Sequence, residues 1–168
     1  MHQKYRQFLI RDWEPRDRQA AADLIGSVLA EYGLGWEPDA TDRDVVDVET
    51  CYHATGGEFW VVETADRVVG TAAYYPIERG ENAVELRKMY LHPEARRQGL
   101  GRYLLSVAEA AIAAKNFNEI WLETATVLKE ACQLYERNGY RPPKSNVGPD
   151  VQRCDRVYVK YLSDRNGD

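Results

Sequence analysis

Residues 84–112 read VELRKMYLHPEARRQGLGRYLLSVAEAAI, three patterns in direct succession: an apolar strand, a short basic loop with two glycines, and an amphipathic helix. The loop, Arg96-Arg97-Gln98-Gly99-Leu100-Gly101, leaves backbone N–H groups free at a helix start, where the helix dipole adds positive potential. Such a junction cradles an anion, most often a phosphate. Within the strand, Val84 and Leu86 are two apart, but the next apolar pair, Met89 and Leu91, is out of phase. A strict pleat cannot place all four on one face. Two readings are open: a residue inserted near Arg87-Lys88 as a β-bulge, or a strand buried on both faces beyond Lys88.

The flanking chain supplies a sheet and its helices. Residues 8–13 read as a first strand, ended by Glu14-Pro15, and Asp17 is placed to cap the helix that follows. Ala21, Leu24, Ile25, Val28, Leu29 and Tyr32 share one face of that helix before Gly33 closes it. A loop over 33–42 leads through Thr41-Asp42-Arg43-Asp44, a capping-box pattern, to a second helix over 44–52. Strands at 59–64 and 68–75, joined by the tight turn 65–67, form an antiparallel hairpin, and residues 76–82 turn the chain into the 84–91 strand.

Beyond the basic loop, a helix starts near Gly101, with Leu104, Ala108, Ala111, Ile112 and Lys115 on one face and end signals at Lys115-Asn116. It reaches a strand at 120–124 that must lie parallel to 84–91 through the crossover. A helix over 129–138 stops at Gly139, Pro142-Pro143 marks the strand after it as short or at an edge, and 145–152 is loop. A last strand covers 157–162, and residues 163–168 read as a frayed tail. The expectation is one domain over 1–168, an α/β fold with a mixed, mainly antiparallel sheet and helices on both faces.

Composition narrows the function classes. The 168 residues carry 22 basic and 27 acidic side chains, a net charge of −5, which argues against nucleic acid as a partner. No apolar stretch approaches a membrane span and no secretory leader is evident, so a cytoplasmic protein is expected. Cys51, Cys132 and Cys154 are far apart and read as reduced thiols, and His2, His53 and His92 are equally scattered, so no metal site is expected. Between 31 and 49, Glu31, Glu37, Asp39, Asp42, Asp44, Asp47 and Glu49 face one base, Arg43. That run is open to two readings, a field attracting a cationic substrate or a solvated acidic helix start.

The loop fits neither common nucleotide motif. G-x-x-x-x-G-K-[ST] is absent, and Gly99-Leu100-Gly101-Arg102-Tyr103-Leu104 puts leucine where a dinucleotide fold needs its third glycine or alanine. What remains is strand, R-x-x-G-x-G and helix, with Arg96, Arg97 and Arg102 around the loop. This segment resembles motif A, [QR]-x-x-G-x-[GA], of the GNAT superfamily of N-acetyltransferases. Leu134-Tyr135-Glu136-Arg137-Asn138-Gly139-Tyr140 is similar to its second block, L-Y-x-x-x-G-[FY], and the order of elements agrees over about the whole chain.

The resemblance implies the GNAT sheet with a splayed parallel strand pair, and acetyl-CoA as cofactor. The pyrophosphate is then held by Arg96, Arg97, Gln98, Gly99, Leu100, Gly101 and Arg102, mainly through backbone N–H groups. The pantetheine arm pairs with Met89, Tyr90 and Leu91, and the Met89 N–H polarises the thioester carbonyl as an oxyanion-type donor. Glu85 takes the place of a general base, with strand pairing to Arg87 as its other reading and Glu123 in reserve. Tyr135 matches the general-acid tyrosine, with core packing as its alternative. Leu128 stands where many members carry an asparagine that contacts the cofactor.

The acceptor implied is a primary amine of a small molecule or protein, its pocket walled by Tyr32, Trp36, the acidic run and Tyr52, which suits a cationic amine. A non-catalytic acyl-CoA sensor is the alternative, and exposed edge strands leave a homodimer open.

Overall fold

The structure, a computed structural model, describes residues 1–145 and 147–162. The tail expected at 163–168 lies outside the described residues. Seven strands form one sheet in sequence order: β1 (His2–Tyr5), β2 (Phe8–Asp12), β3 (Glu58–Thr64), β4 (Arg67–Ile77), β5 (Ala83–Leu91), β6 (Glu119–Thr124) and β7 (Arg156–Tyr161). Every neighbouring pair is antiparallel except β5 and β6, which the crossover helix α4 (Leu100–Ala114) forces into parallel register.

Helix α1 (Arg18–Glu31) and the short α2 (Arg43–Val46) and α3 (Val48–Cys51) bury Ile25, Leu29, Val45 and Val48 with Phe59 and Val61 on one face of the sheet. On the other face, α4 and α5 (Lys129–Arg137) bury Leu104, Ala108, Ile112 and Tyr135 against Val62, Val84 and Leu86. The mixed α/β sheet with helices on both faces is therefore as the sequence indicates.

Several local readings change. Strand β1 was not foreseen, because His-Gln-Lys-Tyr carries no apolar alternation and lies exposed at the sheet edge. The helix expected over 44–52 is two single turns broken at Asp47, whose side chain caps the second through the Thr50 N–H. The capping box at 41–44 does not form, since Asp42 turns inward, and Asp17 binds Arg11 instead of capping α1. Among the described residues no strand forms between α5 and β7, around Pro142-Pro143; Arg141 alone bridges to Val159. The turn between β3 and β4 has positive φ at both Ala65 and Asp66, the twist a two-residue hairpin requires.

Two irregularities of β5 open the sheet. Ala73 pairs with Arg87 and Thr71 with Tyr90, so three residue steps on β5 oppose two on β4, and Lys88 has a φ of 51°. This is the bulge that the phase slip before Met89 allows. On the other side, β5 and β6 share only Ala83–Glu119, Val84–Ile120 and Glu85–Trp121, then part.

Candidate active site

A cleft of about 660 Å³ lies where β5 and β6 diverge, reaching from Gly99, Gly101 and Arg102 at one end to Arg153 and Cys154 at the other. At the first end, Arg97 (φ 60°) and Gly99 (φ 80°) adopt left-handed backbone that curls the loop before α4. A Cβ on Gly99 would come within 2.6 Å of the Tyr5 hydroxyl and would sit on a left-handed backbone, so any other residue here is strained and pushes on Tyr5 of β1. Tyr5 in turn donates to the Gln98 carbonyl at 2.9 Å, and the Gln98 side chain donates to the Glu94 carbonyl and accepts from Gln7. The unforeseen edge strand thus braces the cradle.

The arginines of the loop divide in role. Arg96 grips the Glu31 carboxylate with both terminal nitrogens, at 2.6 and 2.9 Å, and donates Nε to the Leu91 carbonyl at 2.9 Å. It is wall, not free charge, and it occupies the carbonyl of a residue expected to pair with the pantetheine arm. Arg97 is 87% exposed at its side chain and lines the cleft with Arg102. Leu100 is buried in the core, so it offers only its backbone. Gly101 faces the Leu91 and Leu134 side chains with room for a methyl, both at 3.6 Å from an added Cβ.

On β5, the His92 N–H donates to Val69 across β4, so strand alternation turns the Leu91 amide the other way, toward the gap. Met89, Tyr90 and Leu91 all line the cleft.

Beneath Lys88 lies a buried charge network. Its ammonium is 2.6 Å from Asp42 and 3.2 Å from Asp44, and Asp42 also receives two hydrogen bonds from Arg153, at 2.7 and 2.6 Å. Burial alone would raise the Asp42 carboxyl, but Arg153 and Lys88 outweigh it and hold the group at about 2. Asp44 accepts the Tyr52 hydroxyl at 2.5 Å and lies 3.2 Å from Arg87. Glu49 binds Arg18, Glu31 binds Arg96, and Asp47 caps α3. The acidic run is spent largely on internal partners, leaving Glu37 and Asp39 exposed. Tyr52 and Trp36 belong to the core under α1, while Tyr32 does line the cleft.

The two glutamates differ. Both Glu123 oxygens accept backbone N–H groups, from Asp150 at 2.8 Å and Val151 at 2.9 Å, and Arg79 bonds one of them at 3.2 Å. Although Glu123 lines the cleft, it is tied up anchoring the loop before β7. Glu85 sits at the last β5–β6 pair and is not part of the cleft lining; burial raises its carboxyl, and Arg87, 3.2 Å away, opposes the rise.

Tyr135 is 6% exposed and lines the cleft, its hydroxyl raised by burial, with no hydrogen-bond partner among the described residues. Burial also pushes the Tyr90 hydroxyl, beside Arg153, up to about 12 and the Cys154 thiol to about 11. Leu128, the N-cap of α5, is apolar and supplies no side-chain cap. Arg153 and Cys154 entered the site unannounced: their segment carries no periodicity, and only the fold brings it here. Among the described residues no His, Cys, Asp and Glu cluster could hold a metal, and no helix is long and apolar enough to cross a membrane.

Comparison with known proteins agrees with this geometry. The profile of the acetyltransferase (GNAT) family matches residues 11–140. The uncharacterized N-acetyltransferase YjgM of Escherichia coli (strain K12) is 36% identical over 128 residues, 74% of this chain and 77% of that protein. Several longer relatives are spanned to between 36% and 57% of their length. An acetyltransferase from Streptococcus agalactiae 2603 superposes with a TM-score of 0.82 at 26% identity, over 94% of this chain and 100% of that one. Spermidine N-acetyltransferase from Vibrio cholerae, solved with CoA and spermine, shares the fold with a TM-score of 0.69 at 19% identity, over 94% and 96% of the two chains. With its family pattern spanning the cradle, the bulged strand and α5, the chain belongs to the GNAT family of acetyltransferases.

Proposed function

We propose that this protein moves an acetyl group from acetyl-CoA to a primary amine of a small molecule or a protein, with Glu85 as general base and Tyr135 as general acid. The observation that carries the reading is the parting of β5 and β6 beside a bulge, with an anion cradle at one end and an unpartnered tyrosine hydroxyl on the wall. The residues fit the cofactor. Backbone N–H groups from Arg97 to Arg102 would hold the pyrophosphate where Gly99 and Gly101 let it approach, and the Met89 and Leu91 amides would meet the pantetheine arm in the gap. The family relative from Vibrio cholerae, solved with CoA, is consistent with this use of the fold.

The bound cofactor supplies an acetyl group activated as a thioester; the chain supplies donors and proton carriers. The Met89 N–H would polarise the thioester carbonyl. An alkyl amine with a pKa of about 10.4 arrives protonated, so a base must take its proton. Glu85, its carboxyl raised by burial, is a stronger base than an exposed glutamate. Tyr135, kept protonated by burial, would donate its proton to the departing sulfur. Three free thiols suit a reducing cytoplasm.

The test incubates the protein with acetyl-CoA and a panel of amines, cationic ones included, and follows free CoA thiol. Release is expected, and Tyr135→Phe slows it about 100-fold while leaving CoA affinity nearly unchanged. Tight CoA binding with no release from any amine overturns the reading and points to an acyl-CoA sensor.

A further inference from the structure

The amide assigned to the thioester carbonyl belongs to a peptide unit whose other end is held by a side chain. Thr71, on β4, is completely buried, and its hydroxyl donates to the Lys88 carbonyl at 2.6 Å. That carbonyl and the Met89 N–H are the two ends of one trans peptide plane, so they point in opposite directions. A hydroxyl that pins the carbonyl toward β4 thereby aims the Met89 N–H away from β4, into the gap left by β6.

The need for such a pin follows from the bulge. Lys88 and Met89 together oppose Ala72, so the regular ladder does not fix the orientation of their shared peptide. Lys88 also holds a left-handed φ of 51°, a conformation uncommon for a non-glycine residue inside a strand. Two constraints are present. Its ammonium is seated on Asp42 and Asp44, and its carbonyl is seated on Thr71. The first fixes the residue; the second fixes the plane.

We infer that Thr71 is a positioning residue for acyl transfer, setting the direction of the Met89 amide through the Lys88 carbonyl. The inference rests on the proposed use of that amide. It makes Thr71 touch neither cofactor nor acceptor, and it requires the hydroxyl rather than the shape of the side chain.

Thr71→Val keeps the shape and removes the donor; Thr71→Ser keeps the donor and removes a methyl. Steady-state rates, melting temperature, CoA affinity and the infrared carbonyl band of acetyl-CoA bound without acceptor are measured for wild type and both variants. Loss of a well-aimed oxyanion donor lowers kcat about 100-fold, so Thr71→Val is expected to lose between about 10- and 100-fold in kcat, with KM for acetyl-CoA within about threefold of wild type. Thr71→Ser is expected to recover kcat to within about threefold of wild type. The carbonyl band should move to lower frequency on binding wild type and Thr71→Ser, and move less on Thr71→Val.

Equal turnover by Thr71→Val and wild type overturns the inference. So does equal impairment of both variants in step with their loss of folded protein. If wild type releases no thiol from any amine, the proposed function fails, and the infrared band decides the inference alone: a shift in wild type that Thr71→Val lacks sustains it, and no shift in wild type ends it.

Discussion

The Lys88 ammonium lies 2.6 Å from the Asp42 carboxylate, and Asp42 has no solvent exposure. Because Arg153 binds the same carboxylate, one side chain ties the β5 bulge, the loop after α1 and the loop before β7. Removing it strands a buried cation, so Asp42→Ala should cost about 3–5 kcal/mol in urea denaturation. The sign of the pH dependence follows from its lowered pKa. The contribution is present above the ordinary carboxyl value of 3.8 and is lost as pH falls through about 2. Acid unfolding of wild type below pH 4 that Asp42→Ala does not share would agree; identical acid titrations would not.

The two cradle glycines should respond differently. Gly99→Ala meets a left-handed φ and a Cβ 2.6 Å from the Tyr5 hydroxyl, and should weaken CoA binding about tenfold and cost about 1–2 kcal/mol. Gly101→Ala places its methyl 3.6 Å from Leu91 and Leu134, an ordinary contact, and should leave affinity within about twofold. In a Tyr5→Phe background the Gly99→Ala penalty should shrink, since the clashing oxygen is gone. Calorimetric CoA titrations of the four proteins check this, and additive penalties would show that β1 does not brace the loop.

Glu85 and Glu123 should separate as base and anchor. A base works only when charged, and burial raises the Glu85 carboxyl above its ordinary value of 4.5. Activity should therefore fall, as pH decreases, at a higher pH than an exposed glutamate would give. Glu85→Gln should lower kcat/KM about 100-fold and abolish that acidic limb. Glu123→Gln loses an acceptor for the Asp150 and Val151 amides, so it should lower stability by about 1–3 kcal/mol and leave the limb in place. The reverse pattern in the two pH–rate profiles would reassign the base.

Cys154 should be slow toward alkylating reagents. Burial pushes its thiol to about 11, so at pH 8 the thiolate is about one part in a thousand. Iodoacetamide should modify it more slowly than a free cysteine, and more slowly still with CoA present, because the residue lines the cleft. Peptide mapping by mass spectrometry reads both rates. Fast labelling that CoA does not suppress would remove Cys154 from the cleft wall.

The sequence reveals what is local and hides what is distant. The spacing of Val84, Leu86, Met89 and Leu91 already contains the bulge, because an inserted residue shifts the pleat in phase. The cradle is legible for the same reason: glycines and arginines sit together in one loop. The Asp42–Arg153 latch spans 111 residues and Tyr5–Gln98 spans 93, and nothing in either local pattern points to the partner. The acidic run misleads in the same way. Seven acids against one base suggest either an open field or a solvated helix start, yet most of them find cations that lie elsewhere in the chain, Lys88, Arg96 and Arg153 among them.

The peptide unit between Lys88 and Met89 also predicts how a saturation-mutagenesis map of this protein would look. Position 89 should read as permissive, since every residue but proline carries the same amide, while positions 71 and 42 should read as intolerant although neither meets a substrate. On the proposed use of the Met89 amide, a survey of sensitivity alone would draw the reacting centre on β4, one strand away from that amide.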